Sequence, residues 1–338
     1  MTLAIRLRSI FDAHQLGQAA LVLAPILALS LVTGYDAWLK AAVVTISTFI
    51  AFERGRLTPL GVFLHAIAIL AGFLLMISAL RVPLLFVLAA SLMAAGAVWM
   101  TTYGRKLRSV GNFTFIPALY IACETAENTS PGMFMARAVE LLPYLAVGAL
   151  PVLILAIVHE LIPDTEAAQR ARNLFRLRRD GADEERIAAG EAVIAVILAV
   201  AAAATLVEWR HLDHGQWVVW SAASVVTGDA ATAHLKLRDR AIGAFLGVPA
   251  GIGLGFFLPH GPLSYGLAVV ASLMTLVAFH SYRLGFGTRC AAIAVALVIA
   301  DQSTVIAAER VVNVLIGGII GVAFVFAVHA MVRMSRPV

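Results

Sequence analysis

The 338-residue chain is too apolar for a water-soluble protein, since 61% of its residues are hydrophobic, only 13% are charged, and its mean hydropathy is +0.91. Globular domains average about 45–50% apolar and about 25% charged residues. The formal net charge of +5 would suit nucleic acid, but the basic residues are distributed as a membrane topology requires. We therefore predict an all-α polytopic membrane protein that binds the lipid bilayer and no nucleic acid.

Apolar segments long enough to cross a bilayer occur in two groups. A helix that spans the hydrocarbon core needs roughly 20 apolar residues. The first group lies at 17–34, 37–53, 59–80, 83–102, 109–124 and 137–161, and the second at 188–208, 215–233, 240–258, 262–281, 286–302 and 309–332. The pattern predicts about twelve transmembrane helices.

A polar stretch between the two groups gives the predicted domain organisation. The chain divides into a first six-helix half, a cytoplasmic linker, a second six-helix half and a cytoplasmic tail, at 1–162, 163–187, 188–332 and 333–338. An even number of helices gives both halves the same orientation, so we predict two parallel repeats related by an axis along the membrane normal.

Basic residues are distributed unevenly between the two sides of the predicted bundle. With the N-terminus in the cytoplasm, twenty of the 25 basic residues lie on the cytoplasmic side. The opposite side keeps only Lys40, Arg81, Arg137, Arg210 and Arg310. The positive-inside rule then predicts that both termini are cytoplasmic.

The second half contains glycines at every fourth position, following a basic connector predicted at 236–240. This spacing places the glycines on one face of a helix, where a second helix can pack with its backbone close. The glycines predicted to serve helix packing are Gly243, Gly247, Gly251 and Gly255 in this stripe, with Gly317 and Gly321 in the last helix.

A set of segments in the second half occurs together: Trp217, 236–240, 240–247, the tyrosine of 280–282, and 308–318. Together they resemble the fusaric acid resistance type (FUSC) family, which includes bacterial aromatic acid exporters and, distantly, the plant aluminium-activated malate transporters. The resemblance is clearest over 188–332. It implies a transporter, usually an exporter, or a channel for organic anions such as aromatic carboxylates, in the bacterial inner membrane.

The resemblance also has implications for partners. It implies a homodimer and, as in some exporters of the family, a periplasmic adaptor. The chain departs from the larger exporters, which carry a long cytoplasmic domain where this chain has only the linker at 163–187.

The candidate substrate-binding residues are those that could offer positive charge or an aromatic surface to an anion. Arg240 matches the arginine of the family segment, and Tyr282 lies in another such segment, where its ring could stack on an aromatic substrate. The full set is Arg240, Asp229, Thr227, Tyr282, Arg310 and, as the repeat counterpart of Arg310, Arg137. The alternative for each arginine is an anchor at a helix end, and for Trp217 a place in the outer aromatic belt.

Proton coupling is assigned to titratable residues in or near the predicted spans, namely Asp229, Asp301 and His280. The chain has no G-x-x-x-x-G-K-[ST] motif, so a proton gradient is preferred to ATP as the energy source. We predict no cofactor, and a site near mid-membrane between the two halves.

Two other classes of protein compete with a transporter. A membrane enzyme would need a site such as a metal bound by His211 and His214, but the sequence offers no third ligand beside them, so we predict neither a catalytic nor a metal site. A scaffold subunit would use its glycine stripes, including Gly317 and Gly321, to pack against other chains.

Overall fold

The computed structural model describes residues 10–127, 129–162, 174–179, 187–226, 230–301 and 304–335. These residues form twelve α-helices and two short 3-10 segments. The first six helices are α1 (Ala13–Thr33), α2 (Ala37–Gly55), α3 (Pro59–Ala79), α4 (Pro83–Trp99), α5 (Leu107–Glu127) and α6 (Phe134–Leu161). The others are α7 (Gly190–Arg210), α8 (Gln216–Val225), α9 (Ala230–Phe257), α10 (Pro262–Met274), α11 (Tyr282–Ile299) and α12 (Thr304–Ser335).

Local sequence explains several of the helix ends. The Asp12 side chain accepts a hydrogen bond from the Gln15 amide at the start of α1, where it satisfies a backbone donor that the helix leaves free. The same helix ends at Gly34, whose φ of 73° is left-handed, a conformation that glycine adopts without steric cost. Thr58 caps α3, and Pro59 occupies its first turn, where proline loses no helical hydrogen bond.

Each predicted segment corresponds to one helix, which confirms the all-α fold class, but three helices in the second half have clearly different ends from those predicted. Helix α8 ends at Val225, not at 233, and 236–240 lies inside α9 rather than in a connector. Helix α10 ends at Met274, and turns and bends fill most of the stretch to Ser281. Hydropathy located these segments but could not fix the residue at which each helix begins or ends.

Eight of the described helices are long and apolar enough to cross a membrane, namely α1, α3, α4, α6, α7, α9, α11 and α12. The chain is therefore a multi-pass membrane protein. The 10 residues of α8 rise only about 15 Å, half of a hydrocarbon core of about 30 Å, so α8 is too short to span it alone. Twelve spans remain a prediction.

Helices at corresponding positions in the two halves make corresponding contacts. Helix α2 packs on α6 as α8 packs on α12, and α3 packs on α5 as α9 packs on α11. Between the halves, α4 packs on α7, and α10 packs on α1. The largest buried apolar cluster contains residues of both halves, from Val44 to Val328.

The two ends of the bundle are tied by polar contacts between distant connections. At the predicted cytoplasmic end, the Asp12 amide donates to the Ala278 carbonyl, and the Arg179 amide donates to the Arg56 carbonyl. At the predicted outer end, the Glu127 carboxylate lies 3.1 Å from His214.

The glycine stripe of α9 lies directly against α11. A Cβ atom added to Gly247 would collide with the Gly287 carbonyl oxygen, and one added to Gly251 would collide with the Ala291 carbonyl oxygen. A Cβ at Gly255 would lie 2.7 Å from the Cβ of Val298, and Gly243 faces Gly287. The absence of side chains on one face of α9 is thus what allows the two backbones to approach.

A second stripe, Gly317 and Gly321 on α12, lies against α8. Added Cβ atoms would collide with the carbonyl oxygens of Val218 and Ala222 respectively. The glycines of both stripes therefore face helices of their own chain, which removes the feature that favoured a scaffold subunit.

Gly247→Ala should lower the melting temperature of the purified protein, because the new methyl group must push α9 and α11 apart. Overpacking of this kind costs about 1–3 kcal/mol. Gly253→Ala is the matched control, since no atom lies within 4 Å of its added Cβ, and alanine favours the helix by up to about 1 kcal/mol. Equal melting temperatures for the two variants would contradict the close packing.

Candidate functional site

Two buried arginines from different helices meet at a small cavity in the second half. Arg240 lies about three turns into α9 and is 4% exposed, and Arg310 lies in the second turn of α12 and is 3% exposed. The cavity has space for about one water molecule. Besides the arginines, its lining residues are Trp217, Trp220, Phe286 and Val314.

Each of the two guanidinium groups lies over an aromatic ring. The Cζ atom of Arg240 is 4.5 Å from the centroid of the Phe286 ring, and that of Arg310 is 4.8 Å from the Trp217 ring. The electron-rich face of an aromatic ring attracts a cation, and the attraction grows when both groups are shielded from water. The rings therefore compensate part of the cost of burying two positive charges.

Tyr282 extends the aromatic surface beside Arg240. Nη1 of Arg240 donates a hydrogen bond of 3.2 Å to the Tyr282 hydroxyl, and the Tyr282 ring stacks on Phe286 with centroids 6.1 Å apart. The Lys236 ammonium lies 5.5 Å from the centroid of the Tyr282 ring. Tyr282 is 40% exposed, so it stands between the buried cavity and the predicted cytoplasmic end.

Of the residues that the structure describes, no Asp or Glu pairs with either arginine. The Nε atoms of both are buried and make no hydrogen bond within that part of the chain. The nearby Asp239 pairs instead with Arg283, at 2.7 Å. A buried cation without a counter-ion is costly, and among the described residues the positive charge at the cavity is left unbalanced.

Further basic residues surround the cavity without lining it. The Arg289 side chain is held by Thr275, with its Nε 3.1 Å from the Thr275 hydroxyl, and its charge acts on both Arg240 and Arg310. Lys236 lies close enough to interact with Arg240. Positive potential in such a shielded place adds up over several groups.

Polar side chains hold α8 and α12 in register around the site. The buried Ser221 hydroxyl donates to the Val314 carbonyl at 2.6 Å, and the Asn313 amide donates to the Asp213 carbonyl at 3.1 Å. Together with the close approach of Gly317 to α8, these bonds fix Trp217 against Arg310.

The structure brings together three of the predicted substrate-binding residues and separates the others. Arg240, Arg310 and Tyr282 belong to one cluster. Arg137 lies at the start of α6 with an exposed side chain that pairs with Glu140 at 2.8 Å. Asp229 and Thr227 lie outside the described residues.

Asp301 and His280, two of the predicted proton-coupling residues, lie in connections between helices and do not line the cavity. The Asp301 side chain is 88% exposed, with one oxygen 3.9 Å from Nε2 of His260, and Asp229 is not among the described residues. His280 is exposed at the predicted cytoplasmic end, where its amide donates to the Ile10 carbonyl.

The cavity lies within the second half rather than between the halves, because all of its lining residues belong to α8, α9, α11 and α12. Trp217 is buried, 6% exposed, and so is not part of an outer aromatic belt. Trp220 and Phe286 were not predicted as site residues. The only sequence signal was their spacing, since Trp220 follows Trp217 by three residues and Phe286 follows Tyr282 by four, which puts each pair on one helix face.

The fold and this site define a multi-pass membrane protein with an internal cationic cavity. Residues 192–324 match the family described as fusaric acid resistance protein-like, which confirms the resemblance found in the sequence. The match includes every residue that lines the cavity and covers less than half of the chain. The family is one of transporters rather than enzymes. No curated protein and no solved structure matches the chain.

Tyr282→Phe should lower the stability of the folded protein, because it removes the acceptor of the Arg240 hydrogen bond and keeps the ring that stacks on Phe286. We expect a loss of about 1 kcal/mol, with Tyr282 partly exposed, seen as a lower melting temperature in detergent. Tyr103→Phe, at a ring that is 64% exposed, serves as the control. A melting temperature equal to that of the control would mean that this hydrogen bond contributes nothing.

Proposed function

We propose that the protein carries small organic anions, such as aromatic carboxylates, out of the cell across the bacterial inner membrane, driven by the proton gradient. The observation that carries the proposal is the pair of buried arginines, Arg240 and Arg310, that face one cavity with no acidic partner among the described residues. The family match of the same segment supports a transport role.

In the proposed mode of binding, a carboxylate accepts hydrogen bonds from the two guanidinium groups. Arginine offers parallel donors to the two oxygens of a carboxylate, and the Nε atoms of Arg240 and Arg310 have no other partner among the described residues. An aromatic substrate would place its ring among Trp220, Phe286 and Tyr282, where stacked or edge-on rings attract one another.

A substrate larger than water requires the cavity to enlarge. In the described conformation the rings of Trp217 and Phe286 leave space for about one water molecule, so we take this conformation as closed to the substrate. Arg310 lies near the predicted outer end and Arg240 nearer the cytoplasmic end. Movement of the rings at either end would then expose one arginine at a time, as alternating access requires.

The arrangement of the halves is part of the same proposal. We propose two parallel six-helix repeats, because helix contacts recur at corresponding positions and the halves exchange equivalent contacts through α4–α7 and α1–α10. Cytoplasmic termini follow from the distribution of basic residues. A homodimer and a periplasmic adaptor are proposed from the family resemblance alone.

Transport by inverted membrane vesicles tests the proposal. Arg240→Gln and Arg310→Gln should each reduce uptake of a transported carboxylate by roughly 10- to 100-fold, the amount that loss of a charged hydrogen bond of about 1.5–3 kcal/mol implies. Arg238→Gln is the matched control, since this neighbouring side chain is 57% exposed. All variants must elute from size exclusion as the wild type does.

The same vesicles separate the mechanisms. Uptake by the wild type that increases with an imposed pH gradient, acidic inside the inverted vesicle, is expected of proton-driven export. Uptake that ignores the gradient would instead indicate a channel or uniporter. Absence of uptake for a panel of aromatic and aliphatic carboxylates, with folded protein, would overturn the proposal.

A further inference from the structure

An ion pair at the predicted outer end joins the two halves of the molecule. Nδ1 of His214, in the connection between α7 and α8, lies 3.1 Å from Oε2 of Glu127, the last residue of α5. Their side chains are 18% and 26% exposed, so both are partly shielded from water, and Nδ1 of His214 is itself buried without a well-aligned hydrogen bond. Helix α5 belongs to the first half, and His214 to the second.

The ion pair contacts the cavity through one side chain. The His214 imidazole stacks on the Trp217 indole with ring centroids 4.8 Å apart and planes inclined by 19°. The same indole lies under the Arg310 guanidinium and lines the cavity. A movement of His214 relative to α5 therefore changes the support of the ring that closes the cavity.

Acidic groups predominate among the charges that act on His214. Glu127 and Glu124 act on it from α5, and Glu309 acts from α12. Lys40 of α2 interacts with both α5 carboxylates and partly offsets them. The balance favours the protonated form of the imidazole.

The pKa of His214 shifts in the same direction. The close contact with the Glu127 carboxylate raises the pKa above the ordinary value of 6.5, partial burial opposes that rise, and the charges of Glu127, Glu124 and Glu309 add to it. The ion pair is therefore complete at acidic pH and is lost as the pH rises through the pKa of the folded protein.

From this geometry we propose that His214 and Glu127 form a proton-binding latch, which at acidic external pH holds Trp217 over Arg310 and keeps the outer end of the cavity closed. Proton uptake by His214 makes the link between α5 and the α7–α8 connection ionic. Proton loss weakens that link and frees Trp217 to move. The role in transport rests on the proposed function, whereas the proton binding does not.

Fluorescence of the purified protein tests the proton binding without any substrate. A protonated imidazole quenches a stacked indole more strongly than a neutral one does, so the emission of Trp217 should fall as the pH is lowered from 8.5 to 5, with a midpoint above 6.5. His214→Asn and Trp217→Phe should each abolish this transition. Glu127→Gln should shift its midpoint downward.

The chain offers a matched control in the same connection. His211 and His214 both have positive φ, 48° and 51°, a region that asparagine tolerates, so His211→Asn and His214→Asn perturb the backbone equally. His211→Asn should retain the transition. A transition that survives in His214→Asn, or a midpoint that Glu127→Gln leaves unchanged, would overturn the proton-binding site.

Transport tests the latch itself. With equal pH on both sides of proteoliposomes, exchange of a carboxylate by the wild type should slow on acidification, and His214→Asn should remove most of this dependence relative to His211→Asn. Equal pH dependence in the two variants would overturn the latch. A protein that shows the fluorescence transition and transports nothing would instead refute the proposed function and leave the proton-binding site standing.

Discussion

The close packing of α9 on α11 is the constraint on which the site depends. Two helices can approach to backbone contact only where side chains are missing, and the glycines of α9 supply that surface against Gly287 and Ala291. Close approach places the Arg240 guanidinium over the Phe286 ring and within hydrogen-bonding distance of the Tyr282 hydroxyl. A wider separation of these helices would leave the arginine without either contact, in surroundings that offer it little water.

The stability of two buried cations with no described acidic partner requires explanation, because an unpaired charge in an apolar interior is among the costliest features that a protein can carry. Aromatic faces compensate part of that cost, one for each guanidinium. An incoming anion would compensate the remainder, and only while it is bound. In the proposed function, binding of this kind would be favourable without being irreversible, as a transport site needs.

Trp217 connects the cavity to the connection between α7 and α8. Its indole ring supports Arg310 at the cavity and stacks on His214 in the connection that meets α5. The cavity lies within the second half, and in the proposed latch its closure depends on a contact with the first half. The cavity can therefore lie inside the second half and still respond to movement between the halves, through the contact of His214 with Glu127.

Sequence alone determined the membrane class, the helical fold and the approximate position of every described helix, because hydropathy and the length needed to cross a bilayer act locally along the chain. It also made candidates of Arg240 and Arg310, which are charges in apolar helices, and of Tyr282, which with Arg240 lies in segments that resemble the family. Only the tertiary structure decided that these three meet, that Arg137 lies elsewhere on α6, and that Trp220, Phe286 and His214 join them. The physical reason is that a contact between α8, α9, α11 and α12 depends on helix rotation and crossing. These follow from packing among all the helices and are not encoded in any one segment.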